Sequence, residues 1–261
     1  MATIRVLVVR APGINCEEET AFAWRQAGAE ATPVHVRRLI ESPEALDAFQ
    51  IVTIPGGFSY GDDIASGSIL ANQMRQGLGD ALTRFVDRGG LVIGICNGFQ
   101  VLVRLGLVPG ADAPARATLT WNDSGRYEAR WVHLRASVSH CPFLREDELY
   151  HLPVAHGEGR IAMEDGSAGA DRLSAANRIA LRYVSAAGSA PIFPENPNGS
   201  IENAAGLTDS TGRVLGLMPH PERNIFACNR PAGARGASSE IDGHPVYQGN
   251  RLFENAISAL R

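Results

Sequence analysis

The chain has 261 residues, of which 44% are hydrophobic and 20% charged, and its formal net charge is −4. These values are ordinary for a globular protein with a sizeable core. The 24 basic residues are all Arg and form no block beyond the pair Arg37 and Arg38, so nucleic-acid binding is not predicted. No apolar run approaches the roughly 18 residues of a membrane-spanning helix, so no membrane association is predicted either.

The first part of the chain alternates predicted strands and helices. Strands are expected at residues 6–9, 31–36, 50–54 and 91–93, and helices at 17–27, 44–49, 68–88 and 99–105. The continuous apolar run at 6–9 is typical of a strand buried on both faces of a parallel sheet. The alternation predicts an α/β fold with a doubly wound, mostly parallel sheet flanked by helices. Ligands bind such sheets beyond the carboxyl ends of the strands.

The later part of the chain predicts an added β region in the same domain. We expect strands at 131–138 and 178–184, a β pair at 206–209 and 214–218, and a closing helix at 252–260. Residues 164–176 and 230–243 are rich in Gly, Ala, Ser and Asp and are interpreted as surface loops. No repeat or linker is visible, so we predict a single domain over 1–261, with 227–250 left as an unassigned, loop-rich segment.

The four cysteines stand at positions 16, 96, 141 and 228 and form no C-x-x-C pair. This spacing fits neither a disulfide framework nor a zinc site, so we predict a reduced, cytoplasmic protein without a metal site. Cys16 is interpreted as a small buried hydrophobic residue. Asp62 and Asp63 are interpreted as part of a helix start rather than as metal ligands.

Cys96 stands between a predicted strand and a predicted helix, in the segment Gly94-Ile95-Cys96-Asn97-Gly98. A side chain at the apex of a strand-turn-helix elbow is lifted clear of its neighbours, and backbone N–H groups point at what it attacks. The helix N-terminus favours a thiolate. Glycine allows the sharp turn and the close approach of backbone. Cys96 is therefore predicted to be a nucleophile.

A cysteine nucleophile needs a base, and His220 is the best candidate among the seven histidines. It follows a predicted strand, and prolines on both sides fix its place. Residues two apart in an extended segment share a face, so Glu222 can accept the other imidazole N–H and orient the ring. Alone, this tripeptide is weak support for catalysis; together with Cys96 it predicts a nucleophile–base–acid triad.

Three motifs resemble the signatures of class I glutamine amidotransferases. They are PGG at 55–57, GICNGFQ at 94–100 and PHPE at 219–222. GGFSYGD at 56–62, AHGEG at 155–159, MPHPER at 218–223 and residues 122–134 resemble, more narrowly, the glutaminase subunits of phosphoribosylformylglycinamidine synthase in purine biosynthesis. The resemblance runs from about residue 6 to 223, and 227–250 matches no pattern.

The resemblance implies that Cys96 attacks the side-chain amide of L-glutamine to form a thioester, with His220 as acid and base and Glu222 orienting it. It further implies an oxyanion hole formed by the N–H groups of Gly57 and Asn97. By the same resemblance, three more residues are expected at the substrate pocket: Gln100, His156 and Glu158.

The resemblance also implies partners. The released ammonia would serve a large, ATP-dependent synthetase subunit; a small bridging subunit is left open. The chain has no G-x-x-x-x-G-K-[ST] phosphate loop, so we expect no cofactor here, and ATP and Mg²⁺ on the synthetase. Two alternatives stay open: a glutaminase subunit serving another biosynthetic acceptor, and a catalytically silent scaffold of the same fold.

Overall fold

The structure is a computed structural model that describes residues 3–230, 240–241 and 244–261. One large sheet dominates these residues. The strands are β1 (Arg5–Arg10), β2 (Glu30–His35), β3 (Ile51–Ile54), β4 (Leu91–Ile95), β5 (Ala117–Thr120), β6 (Glu128–Ala136), β7 (Leu149–His156), β8 (Arg160–Met163), β9 (Ile179–Val184), β10 (Ala204–Thr208), β11 (Val214–Leu217), β12 (Glu240–Ile241) and β13 (His244–Tyr247). The helices are α1 (Glu17–Gln26), α2 (Val36–Glu41), α3 (Ser68–Asp87), α4 (Asn97–Leu105), α5 (Gly166–Ala175) and α6 (Asn250–Ala259). Eleven strands form the sheet in the order β12-β13-β7-β6-β9-β10-β11-β4-β3-β1-β2, and β5 pairs with β8 alone.

The half of the sheet that runs from β2 to β11 is parallel, as the alternation of strands and helices predicts. Every residue of β3 and β4 is buried, since helices cover both faces. Helices α1 and α6 pack together, and α3 packs against α2 and α4. The doubly wound α/β fold class is thus confirmed, and the carboxyl ends of β3, β4 and β11 meet at one edge.

The other half of the sheet is the predicted β addition. Strand β10 is antiparallel to both β11 and β9, and β6 lies antiparallel between β9 and β7. Strand β13 extends this half by pairing parallel to β7. Strands β12 and β13 fall within the segment left unassigned from sequence, whose residues 231–239 and 242–243 lie outside the described part of the chain.

The expectation of a loop at 164–176 is wrong, because helix α5 occupies most of it. Part of the helix packs against the protein: Gly169, Ala170 and Leu173 are buried. A Cβ on Gly169 would lie 1.8 Å from the carbonyl oxygen of Glu164, so only glycine allows this close approach. At Gly169, then, a residue that suggests a loop by composition is required by packing.

The longest helix is α3, with 20 residues. It is amphipathic, with its buried residues Leu70, Met74, Leu78, Leu82 and Phe85 recurring three or four positions apart. Within the described parts of the chain, no helix combines the length and apolar character needed to cross a membrane.

Candidate active site

Cys96 lies at the apex of a sharp elbow between β4 and α4. Its backbone has φ 51° and ψ −106°, a left-handed conformation that is costly for a residue with a side chain. Glycine permits the crossing beneath it: a Cβ on Gly98 would lie 1.9 Å from the carbonyl oxygen of Ile54. The predicted strand-turn-helix arrangement is present, and the Cys96 side chain is 5% exposed, with Sγ 3.7 Å from the carbonyl oxygen of Ala155.

His220 and Glu222 form a tight pair three to five residues beyond β11. Nδ1 of His220 lies 2.6 Å from Oε1 of Glu222, and both side chains are almost fully buried. Among the described residues, Nε2 of His220 has no hydrogen-bond partner, so this nitrogen is free for a thiol or a leaving group. Burial opposes a positive charge on His220, but Glu222 and the sulfurs of Cys96 and Cys16 outweigh it and raise the pKa of the imidazole well above its ordinary value.

The Gly56-Gly57 loop follows β3 and faces the start of α4. Gly57 has φ 144°, and a Cβ there would lie 2.8 Å from backbone atoms of residues 13–15, so glycine is required. In the described part of the chain, the N–H of Gly57 has no acceptor. The N–H of Asn97 is in the first turn of α4, where no carbonyl four residues earlier can accept it. Both predicted oxyanion donors are therefore free at the same edge of the sheet.

The side chains of Asn97 and Gln100 connect the elbow to two loops. Oδ1 of Asn97 accepts a hydrogen bond from the N–H of Ser59 (3.2 Å), and its Nδ2 donates to Asp62 (3.1 Å) and to Gln100 (2.9 Å). Nε2 of Gln100 donates to the carbonyl of Glu158 at 2.6 Å. The structure thus gives Gln100 a role in holding the Glu158 loop, with both ends of its amide already paired.

Asp62 is a site residue that sequence reasoning assigned only to a helix start. Its carboxylate accepts the N–H of Gly67, the N-cap residue of α3, at 3.1 Å, although α3 has no side-chain cap hydrogen bond. Burial raises the pKa of Asp62, against the effect of its hydrogen bonds. Its bond to Asn97 could not be read from the sequence, since the two residues are 35 positions apart.

The structure places His156 behind the loop that carries Glu158. Nδ1 of His156 lies 3.1 Å from Oδ1 of Asn122, whose Nδ2 donates to the carbonyl of His156 at 2.8 Å. Burial, together with the nearby charge of His220, lowers the pKa of His156 to about 4, so the ring is neutral. Because the side chain is 3% exposed and the cleft is lined by the next two residues, His156 supports the loop from inside.

A cleft of about 620 Å³ is lined by Glu158 and by Asp62, the hydrogen-bond partner of Asn97, but Cys96 and His220 are not among its lining residues. Asp62, Glu158 and Arg104 provide charged groups in its wall, so it offers both signs of charge to an amino-acid zwitterion. Its rim exposes large apolar side chains, defined here as the rim residues: Phe58, Ile64, Trp121 and Tyr127. A larger cleft of about 840 Å³, between Pro12, His35 and Tyr60, contains none of the predicted site residues.

Cys16, His220 and Glu222 bring together atoms of the kinds that bind metal ions, within 4.8 Å of one another. The guanidinium of Arg223 already lies on this group, with Nη2 2.9 Å from Sγ of Cys16. A fixed positive charge there opposes a bound cation, and the short contact between His220 and Glu222 leaves no room between them. We therefore assign no metal ligands at this position.

The fold and this geometry are those of a glutamine amidotransferase. Comparison with known proteins gives the same class. A model of the CobB/CobQ-like glutamine amidotransferase domain matches residues 3–258. A solved glutamine amidotransferase from Thermotoga maritima has a similar fold, with a TM-score of 0.50 and 15% identity over 88% of this chain and 80% of that one.

Relatives at higher identity are more specific. The chain is 41% identical to phosphoribosylformylglycinamidine synthase subunit PurQ of Dehalococcoides mccartyi, over 100% of this chain and 99% of the relative. It is 42% identical to the PurQ of Methanococcus maripaludis strain C5, over 97% of each chain. The structure of PurLQS from Thermotoga maritima matches it with a TM-score of 0.73 and 29% identity, over 100% of both chains. The chain therefore belongs to the CobB/CobQ-like glutamine amidotransferase family, in the branch of the PurQ subunits.

Proposed function

We propose that the chain is the glutaminase subunit of a phosphoribosylformylglycinamidine synthase. The observation that carries this proposal is the pairing of His220 with Glu222 at 2.6 Å, beside an elbow cysteine, in a chain of the PurQ branch. The complete triad disfavours a silent scaffold. The fold alone is shared among glutamine amidotransferases, so the acceptor is inferred from the PurQ relatives.

The reaction begins with attack of Cys96 Sγ on the side-chain amide carbon of L-glutamine. His220, whose raised pKa keeps it protonated near neutrality, stabilises the thiolate as an imidazolium. The N–H groups of Gly57 and Asn97 hold the oxyanion of the tetrahedral intermediate; losing one such donor typically costs on the order of 100- to 1000-fold in turnover. His220 then gives its proton to the departing nitrogen, and ammonia leaves.

The remaining γ-glutamyl thioester is resolved by water. His220, now neutral, takes a proton from the water as the water attacks the thioester carbon. The C–S bond breaks, glutamate leaves and Cys96 returns to its starting state. Glu222 keeps the Nδ1–H of His220 in place in both half-reactions. In this proposal Asp62, Glu158 and Arg104, which line the cleft, bind the amino-acid end of the substrate.

The ammonia passes to a large synthetase subunit that uses ATP and Mg²⁺ to convert formylglycinamide ribonucleotide to formylglycinamidine ribonucleotide. In this proposal the chain itself binds no cofactor. The complex can also include a small bridging subunit. We place the protein in the cytoplasm, where a reduced thiol would persist.

Reconstitution with the synthetase tests the proposal. The chain should give formylglycinamidine ribonucleotide from glutamine, and Cys96→Ala should abolish this while leaving synthesis from ammonium chloride unchanged. Another acceptor would be indicated by glutamine hydrolysis without this product. A scaffold would be indicated if Cys96→Ala supports synthesis from glutamine as well as the native chain does.

A further inference from the structure

Cys16 performs no step of the proposed reaction, yet its sulfur lies at the triad. Sγ of Cys16, a ring nitrogen of His220 and a carboxylate oxygen of Glu222 are within 4.8 Å of one another. The thiol and the imidazole also meet at Gly56, where a Cβ would lie 2.7 Å from Cε1 of His220 and 3.3 Å from Sγ of Cys16. Cys16 therefore lies beside the imidazole of His220.

The Cys16 thiol both accepts and donates a hydrogen bond. Nη2 of Arg223 donates to Sγ at 2.9 Å, and Sγ donates to Oδ1 of Asn15 at 3.3 Å. Burial raises the pKa of Cys16, which keeps the thiol protonated and able to donate. Cys16 is 1% exposed, but a buried side chain that only fills apolar space needs neither of these hydrogen bonds. The interpretation of Cys16 as a small buried hydrophobic residue is therefore incomplete.

The backbone of Cys16 is joined to the oxyanion loop. Its N–H donates to the carbonyl of Gly56 at 3.3 Å, and an isolated β-bridge pairs Ile14 with Gly57. Its carbonyl accepts the N–H of Thr20 at 3.0 Å and the hydroxyl of Thr20 at 2.6 Å, which fixes the start of α1. One residue thus contacts the oxyanion loop through its backbone and the triad through its side chain.

We propose that Cys16 is a positioning residue that sets the oxyanion loop and His220 at a fixed separation. This rests on the proposed glutaminase function. Loss of the thiol would remove its hydrogen bond from Arg223, which keeps its ion pair with Glu19, and would open space beside His220, while the backbone link to Gly56 would stay. Misplacement of reacting groups by about 1 Å can cost about 100-fold in rate, so the effect should fall on turnover rather than on substrate binding.

The test compares Cys16→Ala and Cys16→Ser in the complex with the synthetase. The matched control is Cys141→Ala, another free, buried cysteine (2% exposed) at a different cleft. We expect Cys16→Ala to lower kcat for glutamine hydrolysis by about 10- to 100-fold with KM within about twofold, and Cys16→Ser to recover most of the loss. Rates are taken per folded molecule, measured by circular dichroism.

A kcat for Cys16→Ala equal to that of Cys141→Ala overturns the inference, as does a loss that Cys16→Ser does not reduce. Arg223→Gln is a second variant, at a half-exposed side chain, in case the alanine variant does not fold. It should lower kcat in the same way, and an unchanged kcat also counts against the inference. Cys96→Ala is run in parallel: if that variant retains hydrolysis, the proposed function fails, independently of Cys16.

Discussion

The backbone N–H of Cys96 donates a hydrogen bond of 2.8 Å to the carbonyl of Leu217, three residues before His220. This bond continues the parallel register in which Ile95 lies opposite Leu217. The N–H of His220 is in turn held by the carbonyl of Pro153 at 2.8 Å. Cys96 and His220, the proposed nucleophile and base, therefore follow adjacent strands of the sheet and are held there by backbone hydrogen bonds.

The crossing at Gly98 predicts a large difference between two glycines in helices. Gly98→Ala should destabilise the fold by about 1–3 kcal/mol or more, because the new methyl group would meet the Ile54 carbonyl at 1.9 Å. Gly79→Ala in α3 is the control: nothing lies within 4 Å of its Cβ position, and alanine should stabilise the helix by about 0.5–1 kcal/mol. Denaturant unfolding measures both. Equal effects would contradict the tight crossing.

Glu222→Gln should lower kcat by about 100- to 10,000-fold, since an amide cannot stabilise the imidazolium form of His220. Glu222 also contributes to the raised pKa of His220, and ammonia departure needs the protonated ring. Activity is lost as pH rises through that pKa, so in the variant the alkaline fall of kcat should move to lower pH. Glu148→Gln, at a buried carboxylate bonded to Tyr150 and Arg251, is the control and should keep the native pH profile.

His156 predicts a loss of stability in acid. Its pKa of about 4 in the folded state lies below the ordinary value of 6.5, so the unfolded chain binds the proton more tightly and stability falls as pH falls from 6.5 towards 4. From this residue alone, unfolding should cost about 2 kcal/mol less at pH 5 than at pH 7. His156→Gln should flatten the difference in urea unfolding, whereas the exposed His140→Gln should leave it unchanged. An unchanged slope in His156→Gln would refute the assignment.

We expect the synthetase to dock on the rim residues, because a partner bound there would shield the departing ammonia from water. Ile64 is 79% exposed at the rim, and Ile64→Asp should weaken association with the synthetase by about tenfold or more while hydrolysis by the free chain stays unchanged. Ile192→Asp changes a similarly exposed residue (76%) that does not line the cleft. Sedimentation or surface binding measures both variants; equal affinities would place the interface elsewhere.

The parts of this fold that could be predicted from sequence are those with local signals. The apolar run of β1 and the glycines around Cys96 each specify their own conformation, and the fold class and the family are confirmed. The roles of the site residues stay predictions. Helix α5 was missed because small residues look alike in a loop and in a tight packing contact.

Contacts between distant residues could not be predicted in this way. Arg223 and Cys16 meet across 207 positions, and Gln100 reaches the carbonyl of Glu158 across 58. Neither residue of either pair carries a local pattern that points to the other. The resemblance named Gln100 and Glu158 but could not show that they bond to each other.

The left-handed backbone of Cys96 sets the needs of folding against those of chemistry. A residue with a Cβ at such an angle costs the native state on the order of 1–3 kcal/mol, which glycine would largely avoid. A sequence selected only for stability would therefore carry glycine at this position and lose the thiol. The proposed nucleophile is thus retained at a cost in stability, at the carboxyl end of β4, where the backbone hydrogen bond to Leu217 holds the strained residue in place.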